Sequence, residues 1–222
     1  MSEPTTDVMF GQFNIPGEAR NRIYEVVLKL PHPIFLFQDG HTRVEAFALG
    51  RPRNWLALLY NSRRMHEEAA AVLYGVNTFV LLDIGMGGPE LIHTFLNIIG
   101  DGHAKMLSHL CITFPPIHRT FGGFEPSADG VKAFEQLRTQ CFKLEVLEAH
   151  LVGQPAIDLT DVDCCMPEFM PDALTHLDSH VKSLPSMQRF IVRMYSGRPA
   201  ARYMEVMQDF GWESLPANRD RW

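Results

Sequence analysis

Several residues that could do chemistry lie close together near the C-terminal third of the chain. His176 and His180 are four residues apart and would share one face of a helix. Two aspartates and two cysteines lie just upstream: Asp161, Asp163, Cys164 and Cys165. Histidines at this spacing can share a zinc ion. However, no glutamate follows the first histidine and no paired C-x-x-C is present. The pattern therefore favours a solvent-exposed helix face over a metal site.

A glycine-rich segment, residues 85–89, is similar to a phosphate-binding loop in composition only. It lacks the Lys-Ser/Thr pair of a P-loop. Pro89 also removes one of the backbone N–H donors that a phosphate at a helix N-terminus would use. We therefore predict a flexible connection between a strand and a helix, and no nucleotide site.

Cys111 could form a nucleophilic pair with His109 or His118. Residues 107–114 nevertheless alternate as a buried strand does, and buried thiols are usually inert. No G-x-S-x-G motif occurs in the chain. We predict no catalytic residue, no cofactor and no metal ion. An acid–base pair of carboxylates that only folding brings together stays open as an alternative.

The composition is that of an ordinary globular protein. The chain has 222 residues, of which 46% are hydrophobic and 21% are charged, and its formal net charge is −6. A chain of this length can bury a true hydrophobic core. Nucleic-acid binding needs clustered lysines and arginines, whereas the basic clusters here are short and mostly have acidic neighbours. We therefore expect no nucleic-acid partner.

Three features predict a cytoplasmic or nuclear protein. The longest apolar runs, such as residues 79–82, are far shorter than the about 20 residues that span a bilayer, so no membrane partner is expected. The first seven residues have neither the basic nor the apolar region of a secretion signal. The four cysteines are irregularly spaced, which favours reduced thiols.

The first 82 residues predict two helices, a hairpin and a strand. A helix is expected over 17–30, and apolar residues at helical steps mark its buried face: Ala19, Ile23, Val27 and Leu30. Asp39-Gly40 lies between two apolar runs and predicts a β-hairpin with a tight turn. A second helix over 55–74, bent near Asn61-Ser62 and capped by Gly75, then precedes a strand over 77–82.

Further along the chain, helices and strands alternate. Helices are expected at about 89–99, 128–141 and 171–183, and apolar strands at 107–114, 144–151 and 187–194. Leu110, Leu147 and Phe190 lie at matching points of the three strands. This pattern predicts stacked helix–strand units with neighbouring parallel strands, spaced more loosely than in regular leucine-rich repeats. Long loops at 115–127 and 152–170, a last helix at about 199–210 and a polar tail complete the chain.

Two segments resemble a large family of fungal F-box-like proteins. FNIPGEARNRIYE at residues 13–25 is similar to the family's opening LPGEIRNRIYE. LLYNSRRMHEEA at 58–69, with LYG at 73–75 and NTF at 77–79, is similar to the family's LLxTCRQIxxEA, LYG and NTF. Ser62 stands where the family usually has cysteine. Together the two segments cover roughly the first 80 residues.

The resemblance implies the function of an adaptor. In an F-box protein the N-terminal helices bind the Skp subunit of a cullin–RING ubiquitin ligase, and the C-terminal repeats hold a protein substrate. The partner-facing role carries over to five residues: Ile15, Pro16, Glu18, Ile23 and Tyr24. A proline-started helix with apolar and acidic residues can present a groove-binding face. The alternative, also open, is that Ile15, Ile23 and Tyr24 pack under the hairpin.

The sequence thus predicts a mixed α/β protein, with F-box-like N-terminal helices and a β-hairpin followed by irregular, leucine-rich-repeat-like helix–strand units. The expected parts are a disordered N-terminus over 1–12, an F-box-like segment over 13–82, a repeat body over 83–211 and a tail over 212–222. The leading interpretation is a protein–protein interaction module that acts as a Skp–cullin–RING substrate adaptor. The alternatives are a small-molecule enzyme or binder and a scaffold that works without a ligase.

Overall fold

The computed structural model describes residues 15–39, 43–81, 88–121, 123–151, 170–195 and 201–216. Within these ranges the chain is a mixed α/β protein with six α-helices and a mostly parallel seven-stranded sheet. The helices are α1 (Gly17–Leu28), α2 (Arg63–Val76), α3 (Gly88–Ala104), α4 (Ala128–Gln140), α5 (Met170–Lys182) and α6 (Ala201–Asp209). None of the helices in the described ranges is both long enough and apolar enough to span a bilayer.

Nine strands form two sheets in the described residues. They are β1 (Ile34–Asp39), β2 (Arg43–Ala48), β3 (Thr78–Leu81), β4 (His109–Thr113), β5 (Ile117–Thr120), β6 (Gly123–Pro126), β7 (Val146–Leu151), β8 (Arg189–Met194) and β9 (Glu213–Pro216). The large sheet has the order β2-β1-β3-β4-β7-β8-β9, and β5 and β6 form a separate hairpin. Only β1 and β2 pair antiparallel in the large sheet, because each other connection passes through a helix. This sheet crosses the predicted boundary between residues 82 and 83.

The prediction that the strands of the three helix–strand units are neighbours is confirmed. β4, β7 and β8 lie side by side and parallel, and Leu110 pairs with Leu147, which pairs with Phe190. All three side chains are buried. The parallel register of the three strands places these residues in one row within the hydrophobic core.

The two faces of the large sheet differ in chemistry. On one face, alternate residues such as Phe79, Leu110 and Leu147 join the helices in one hydrophobic cluster. The residues between them point to the opposite face because side chains alternate along a strand. One row of that opposite face contains Val80, Cys111, Glu148 and Ile191. A carboxylate therefore lies in the middle of a buried, otherwise mostly apolar row.

The predicted bend in the second helix is confirmed at Asn61-Ser62. A short 3₁₀ helix, Ala57–Tyr60, precedes the bend and α2 follows it. Ser62 caps α2, since its hydroxyl accepts a hydrogen bond from the backbone N–H of Met65 at 3.3 Å. Ser62 thus satisfies one of the donors at the start of the helix.

The predicted cap at Gly75 is wrong. Gly75 lies inside α2, which continues to Val76, and Asn77 leaves the helix in an extended conformation with φ −99° and ψ 153°. The carbonyl of Gly75 accepts a hydrogen bond from Ser108 Oγ at 2.6 Å. α2 therefore ends at a buried asparagine rather than at a left-handed glycine.

The predicted hairpin is confirmed, but its turn differs from the prediction. Asp39 pairs with Arg43, so Asp39 belongs to β1 and three residues connect the strands. Those residues, 40–42, lie outside the described part of the chain, as do the predicted disordered residues 1–12 and most of the loop 152–170.

The sequence misses two strand pairings. The β5–β6 hairpin lies within the predicted loop 115–127. The predicted polar tail instead begins with Trp212, which is 4% exposed, and continues as β9, parallel to β8. The indole Nε1 donates to Asp178 Oδ1 at 3.0 Å, and the indole packs edge-on against Phe190 at 4.8 Å between ring centroids. The segment completes the sheet because its tryptophan anchors it to the core.

Candidate functional site

The helix that carries the predicted partner-facing residues starts immediately after a proline. Pro16 is the N-cap of α1, and its carbonyl accepts a hydrogen bond from the backbone N–H of Arg20 at 3.0 Å. A proline at this end of a helix sacrifices no hydrogen bond, because the first N–H groups have no partner within the helix. α1 ends at Leu28, and Lys29 is already extended, two residues before Pro31.

A cluster of charged and polar side chains, here called the Glu68 cluster, attaches α1 to α2. Arg20 donates to both carboxylate oxygens of Glu68, at 2.7 and 2.8 Å, and the Tyr24 hydroxyl donates to Glu68 at 3.0 Å. Arg64, one helical turn before Glu68, donates to it at 3.0 Å. Hydrogen bonds from Arg20 and then Arg64 lower the pKa of Glu68 to about 2. The carboxylate is therefore ionised at neutral pH and fixes the rotation of α1.

Only half of the residues that were predicted to form the buried face of α1 are shielded from solvent, because of the way the helix is rotated. Val27 and Leu30 are half-buried, but Ala19 and Ile23 are exposed. Ile23 is 44% exposed and Val26 is 76% exposed. The Glu68 cluster causes this difference, because it pulls the neighbouring face of the helix inward. Ala19, Ile23 and Val26 consequently form an outward apolar stripe, which we call the α1 stripe.

The five predicted partner-facing residues separate into accessible and buried groups. Pro16, Glu18 and Ile23 are exposed, and Ile15 is half-buried. Tyr24 is 1% exposed and donates its hydroxyl to Glu68. A side chain this buried holds α1 on the body, so Tyr24 has the packing role that the sequence left open, although against α2 rather than under the hairpin.

Asn77 joins the C-terminal ends of α1 and α2. Its Nδ2 donates to the carbonyls of Leu28 at 2.8 Å and Leu73 at 2.9 Å. Its Oδ1 accepts from the backbone N–H of Leu30 at 2.8 Å. The last carbonyls of a helix lack partners within the helix, so one buried amide satisfies both helix ends and keeps them in register.

A second polar group lies on the sheet face opposite the helices, and we call it the sheet-face cluster. Its centre is Glu148, which is 4% exposed. One carboxylate oxygen accepts from His109 Nε2 at 2.8 Å and the other accepts from Arg193 Nε. Burial raises the pKa of Glu148, but the hydrogen bonds from His109 and Arg193 outweigh it and lower the pKa to about 2. Glu148 is therefore a buried anion paired with a buried cation.

His109 has a partner at each ring nitrogen. Its Nε2 contacts Glu148, and its Nδ1 lies 3.0 Å from Thr78 Oγ1. In a neutral imidazole one ring nitrogen donates and the other accepts. With Nε2 donating to the carboxylate, Nδ1 accepts from the threonine hydroxyl. His109 is thus held between β3 and β7, and neither nitrogen is left to serve Cys111 as a base.

His150 and Tyr195 extend the sheet-face cluster. His150 is fully buried, and its Nδ1 lies 2.8 Å from the Tyr195 hydroxyl. Burial lowers the pKa of His150 to about 4, so the imidazole is neutral at neutral pH. Burial also raises the pKa of Tyr195 to about 12. Glu148 and Arg193 form an ion pair within the cluster, and their charges are opposite.

Three potential metal ligands meet within the sheet-face cluster. Cys111 pairs directly across from Glu148, and His109 lies two residues earlier on the same face of β4. Their ligand atoms, an imidazole nitrogen, the thiol sulfur and a carboxylate oxygen, all lie within 4.8 Å of one another. Nitrogen, sulfur and oxygen donors together suit a borderline-soft cation such as zinc.

Sequence reasoning missed the sheet-face cluster although a signal for it exists. Glu148, His150 and Arg193 are polar residues inside strands that are otherwise apolar. Polar residues at alternate positions of a buried strand indicate that one face is specialised. Which of them would meet depends on the pairing of strands about 40 residues apart, and that register is set by the fold.

The structure brings together one of the residue pairs that the sequence discounted, since the ligand atoms of Cys111 and His109 lie within 4.8 Å of each other. On α5, His176 is exposed and His180 is half-buried. The aspartates and cysteines upstream of them, and Gly85 to Gly87, lie outside the described residues. His118 belongs to β5, in the separate hairpin, whereas Cys111 belongs to β4 of the large sheet.

No protein-family model, no curated protein and no solved structure matches the chain. Evidence for its function therefore comes from its own residues and their geometry.

Proposed function

We propose that the chain is an F-box-like interaction protein whose first helix binds a Skp-type adaptor of a cullin–RING ubiquitin ligase. The observation that carries the proposal is the α1 stripe. Its apolar residues are exposed: Ala19 and Ile23 lie in the segment whose sequence is similar to the family's opening motif, and Val26 follows that segment directly.

The α1 stripe has the features of a helix that inserts into an apolar groove. Ile23 and Val26 are three residues apart and project from the same side of α1, as the anchors of groove-binding helices do. Arg22 and Glu25, both exposed, flank them. An apolar centre with a charged rim is the usual anatomy of a protein interface. Full burial of side chains of this size contributes about 1.5–3 kcal/mol each.

The attachments of α1 support the same proposal. The Glu68 cluster fixes the rotation of the helix, and Asn77 fixes its C-terminal end. A partner would therefore meet a helix that is already ordered, which reduces the entropic cost of binding. Ile15, Pro16, Glu18 and Ile23 remain candidates for the contact, whereas Tyr24 is assigned to the interior.

The helix–strand units after α2 are proposed to hold a protein substrate, as the resemblance implies. The order of their strands along the sheet, which is β3, β4, β7, β8 and β9, supports this part of the proposal. The identity of a substrate is not part of the proposal.

The proposal is tested with the purified full chain and a purified Skp-type adaptor in a calorimetric titration. The double substitution Ile23→Ala, Val26→Ala removes the α1 stripe and is expected to weaken binding at least tenfold, an effect of about 1.4 kcal/mol. The melting temperature should stay near that of the wild type because both side chains are exposed. Ile98→Ala is the matched control, since Ile98 is 60% exposed on α3, outside the F-box-like segment.

Two results would contradict the proposal. The first is no binding by the folded wild-type chain at tens of micromolar, which would favour a scaffold that works without a ligase. The second is equal weakening by Ile98→Ala and by the double substitution, which would place the contact elsewhere on the surface.

A further inference from the structure

Three different donor atoms converge in the sheet-face cluster, from two neighbouring strands. Cys111 and Glu148 are direct cross-strand partners, and His109 lies on the same face as Cys111. Their ligand atoms lie within 4.8 Å of one another. We propose that His109, Cys111 and Glu148 form a binding site for zinc or a zinc-like divalent cation. This site is independent of the proposed adaptor function.

The donor atoms need only small movements to surround an ion. Zinc binds nitrogen and oxygen at about 2.0–2.2 Å and sulfur at about 2.3 Å, so tetrahedral ligand atoms are about 3.3–3.8 Å apart. The observed upper limit of 4.8 Å exceeds this by about 1 Å. Rotation of side chains covers such a difference without moving β4 or β7.

Binding requires a defined exchange of protons. The hydrogen bond from His109 Nε2 to Glu148 is replaced by a bond from each residue to the ion. The imidazole proton moves to Nδ1, which then donates to Thr78 Oγ1, at present 3.0 Å away. The Cys111 thiol loses its proton to solvent, because thiolate is the form that binds metal. One proton is therefore released for each ion bound, and no oxidation or reduction takes place.

The surrounding residues hold two of the three ligands in place. Thr78 fixes the orientation of the His109 ring through the nitrogen that does not bind the ion, as outer partners of metal-binding histidines do. Arg193 binds one oxygen of Glu148 and leaves the oxygen near His109 for the ion. Both arrangements exist in the structure.

The charges near the site select the class of cation. The ion would meet one carboxylate, one thiolate and the guanidinium of Arg193. Magnesium and calcium prefer oxygen ligands and depend on carboxylate charge, which Arg193 here offsets. Thiolate and imidazole favour zinc and cobalt. The His109 side chain is 27% exposed, so the ion enters past the imidazole and has a fourth position for water.

The site differs from the histidine pair that the sequence singled out. His176 and His180 belong to α5, and His176 is exposed. The ligands proposed here come from two neighbouring strands. Cys111 and Glu148 are 37 positions apart in the sequence, and the sequence alone does not show that they are in contact.

The experiment uses chelator-treated full-length chain titrated with Co²⁺, which replaces zinc and reports thiolate ligation by a charge-transfer band. One Co²⁺ per chain and a thiolate band are expected, and added Zn²⁺ should abolish the band whereas Mg²⁺ should not. Cys111→Ala should abolish the band. Thr78→Val should keep the band and weaken binding by about tenfold. His176→Ala is the control and should bind Co²⁺ like the wild type.

Melting curves without metal show which variants are folded. If Cys111→Ala does not fold, His109→Gln takes its place. The glutamine amide can still contact Thr78 and Glu148 but is a poor metal ligand, so Co²⁺ binding should weaken more than in Thr78→Val. The proposal is overturned if the wild-type chain shows no thiolate band, or if the band survives in Cys111→Ala. It is also overturned if His109→Gln binds Co²⁺ like the wild type.

Discussion

Replacement of Asn77 by alanine is expected to destabilise the fold strongly, because this one side chain connects two helix ends. Asn77 is 3% exposed and makes three hydrogen bonds to backbone groups of Leu28, Leu30 and Leu73. Alanine removes all three bonds. It leaves two carbonyls and one N–H without this partner in or near the interior.

The expected loss follows from the number of groups left unpaired. A typical hydrogen bond contributes about 0.5–1.5 kcal/mol net, and a buried group without a partner costs about 1–3 kcal/mol. Three bonds, one of them to a half-buried residue, therefore correspond to about 3–5 kcal/mol in the free energy of unfolding. Small proteins have a total stability of about 5–15 kcal/mol, so the variant should be only marginally stable.

Asn77→Asp provides a second, pH-dependent variant. The carboxyl can still accept from the N–H of Leu30, but it faces the carbonyls of Leu28 and Leu73. Burial and these carbonyls raise the pKa of the introduced carboxyl in the folded state above its unfolded value of about 3.9. The folded state therefore tolerates the protonated form better. The stability deficit relative to the wild type should be large at pH 7 and should shrink as the pH falls.

Urea denaturation followed by tryptophan fluorescence measures both variants, since Trp55 and Trp212 are buried. Asn97→Ala is the matched control because Asn97 is exposed on α3, and it should stay within about 0.5 kcal/mol of the wild type. The reasoning is refuted if Asn77→Ala also stays within about 1 kcal/mol of the wild type. It is equally refuted if the deficit of Asn77→Asp grows on acidification.

Two further predictions concern the sheet. Leu147→Ala should lower the free energy of unfolding by about 2–5 kcal/mol, because Leu147 is fully buried between Leu110 and Phe190; a loss under about 1 kcal/mol in urea titrations would contradict the register. The folded pKa of Glu148, about 2, lies below the ordinary 4.5, so its contribution to stability is present above pH 4.5 and is lost as the pH falls towards 2. The difference in free energy of unfolding between the wild type and Glu148→Gln should therefore decrease by a few kcal/mol over that pH range, since one pKa unit corresponds to about 1.4 kcal/mol. A difference that stays constant with pH in urea titrations would contradict the assigned pairing.

The order of the elements was accessible to sequence reasoning because the signals for them are local. Apolar spacing and flanking prolines locate α1, and the bend that was predicted near Asn61-Ser62 lies where α2 begins. Repetition of a similar helix–strand unit aligned Leu110, Leu147 and Phe190 before any contact was known. The strand β9 was missed because its four-residue sequence is short and has no apolar run, and Trp212 holds it only after the core exists.

The face that α1 presents was decided by tertiary structure. Ala19 and Ile23 fit a buried stripe on spacing alone, yet they are exposed because Arg20 and Tyr24 bind Glu68, more than 40 residues away. The hydrogen bonds that Arg20 and Tyr24 donate to the Glu68 carboxylate stabilise this rotation of the helix more than burial of one alanine and one isoleucine would stabilise the other. A periodicity argument considers apolar area only and therefore placed Ala19 and Ile23 on the buried face together with Val27 and Leu30.

By itself the amino-acid sequence determined the helices, the strands other than β5, β6 and β9, and the residues that form the central row of the core, because turns, caps and hydrophobic periodicity act over a few residues. Only the tertiary structure decided that His109, Cys111 and Glu148 meet and that the α1 stripe faces outward. Both outcomes depend on contacts between residues 37 to 48 positions apart. Such contacts follow from strand register and helix rotation, which no local pattern specifies.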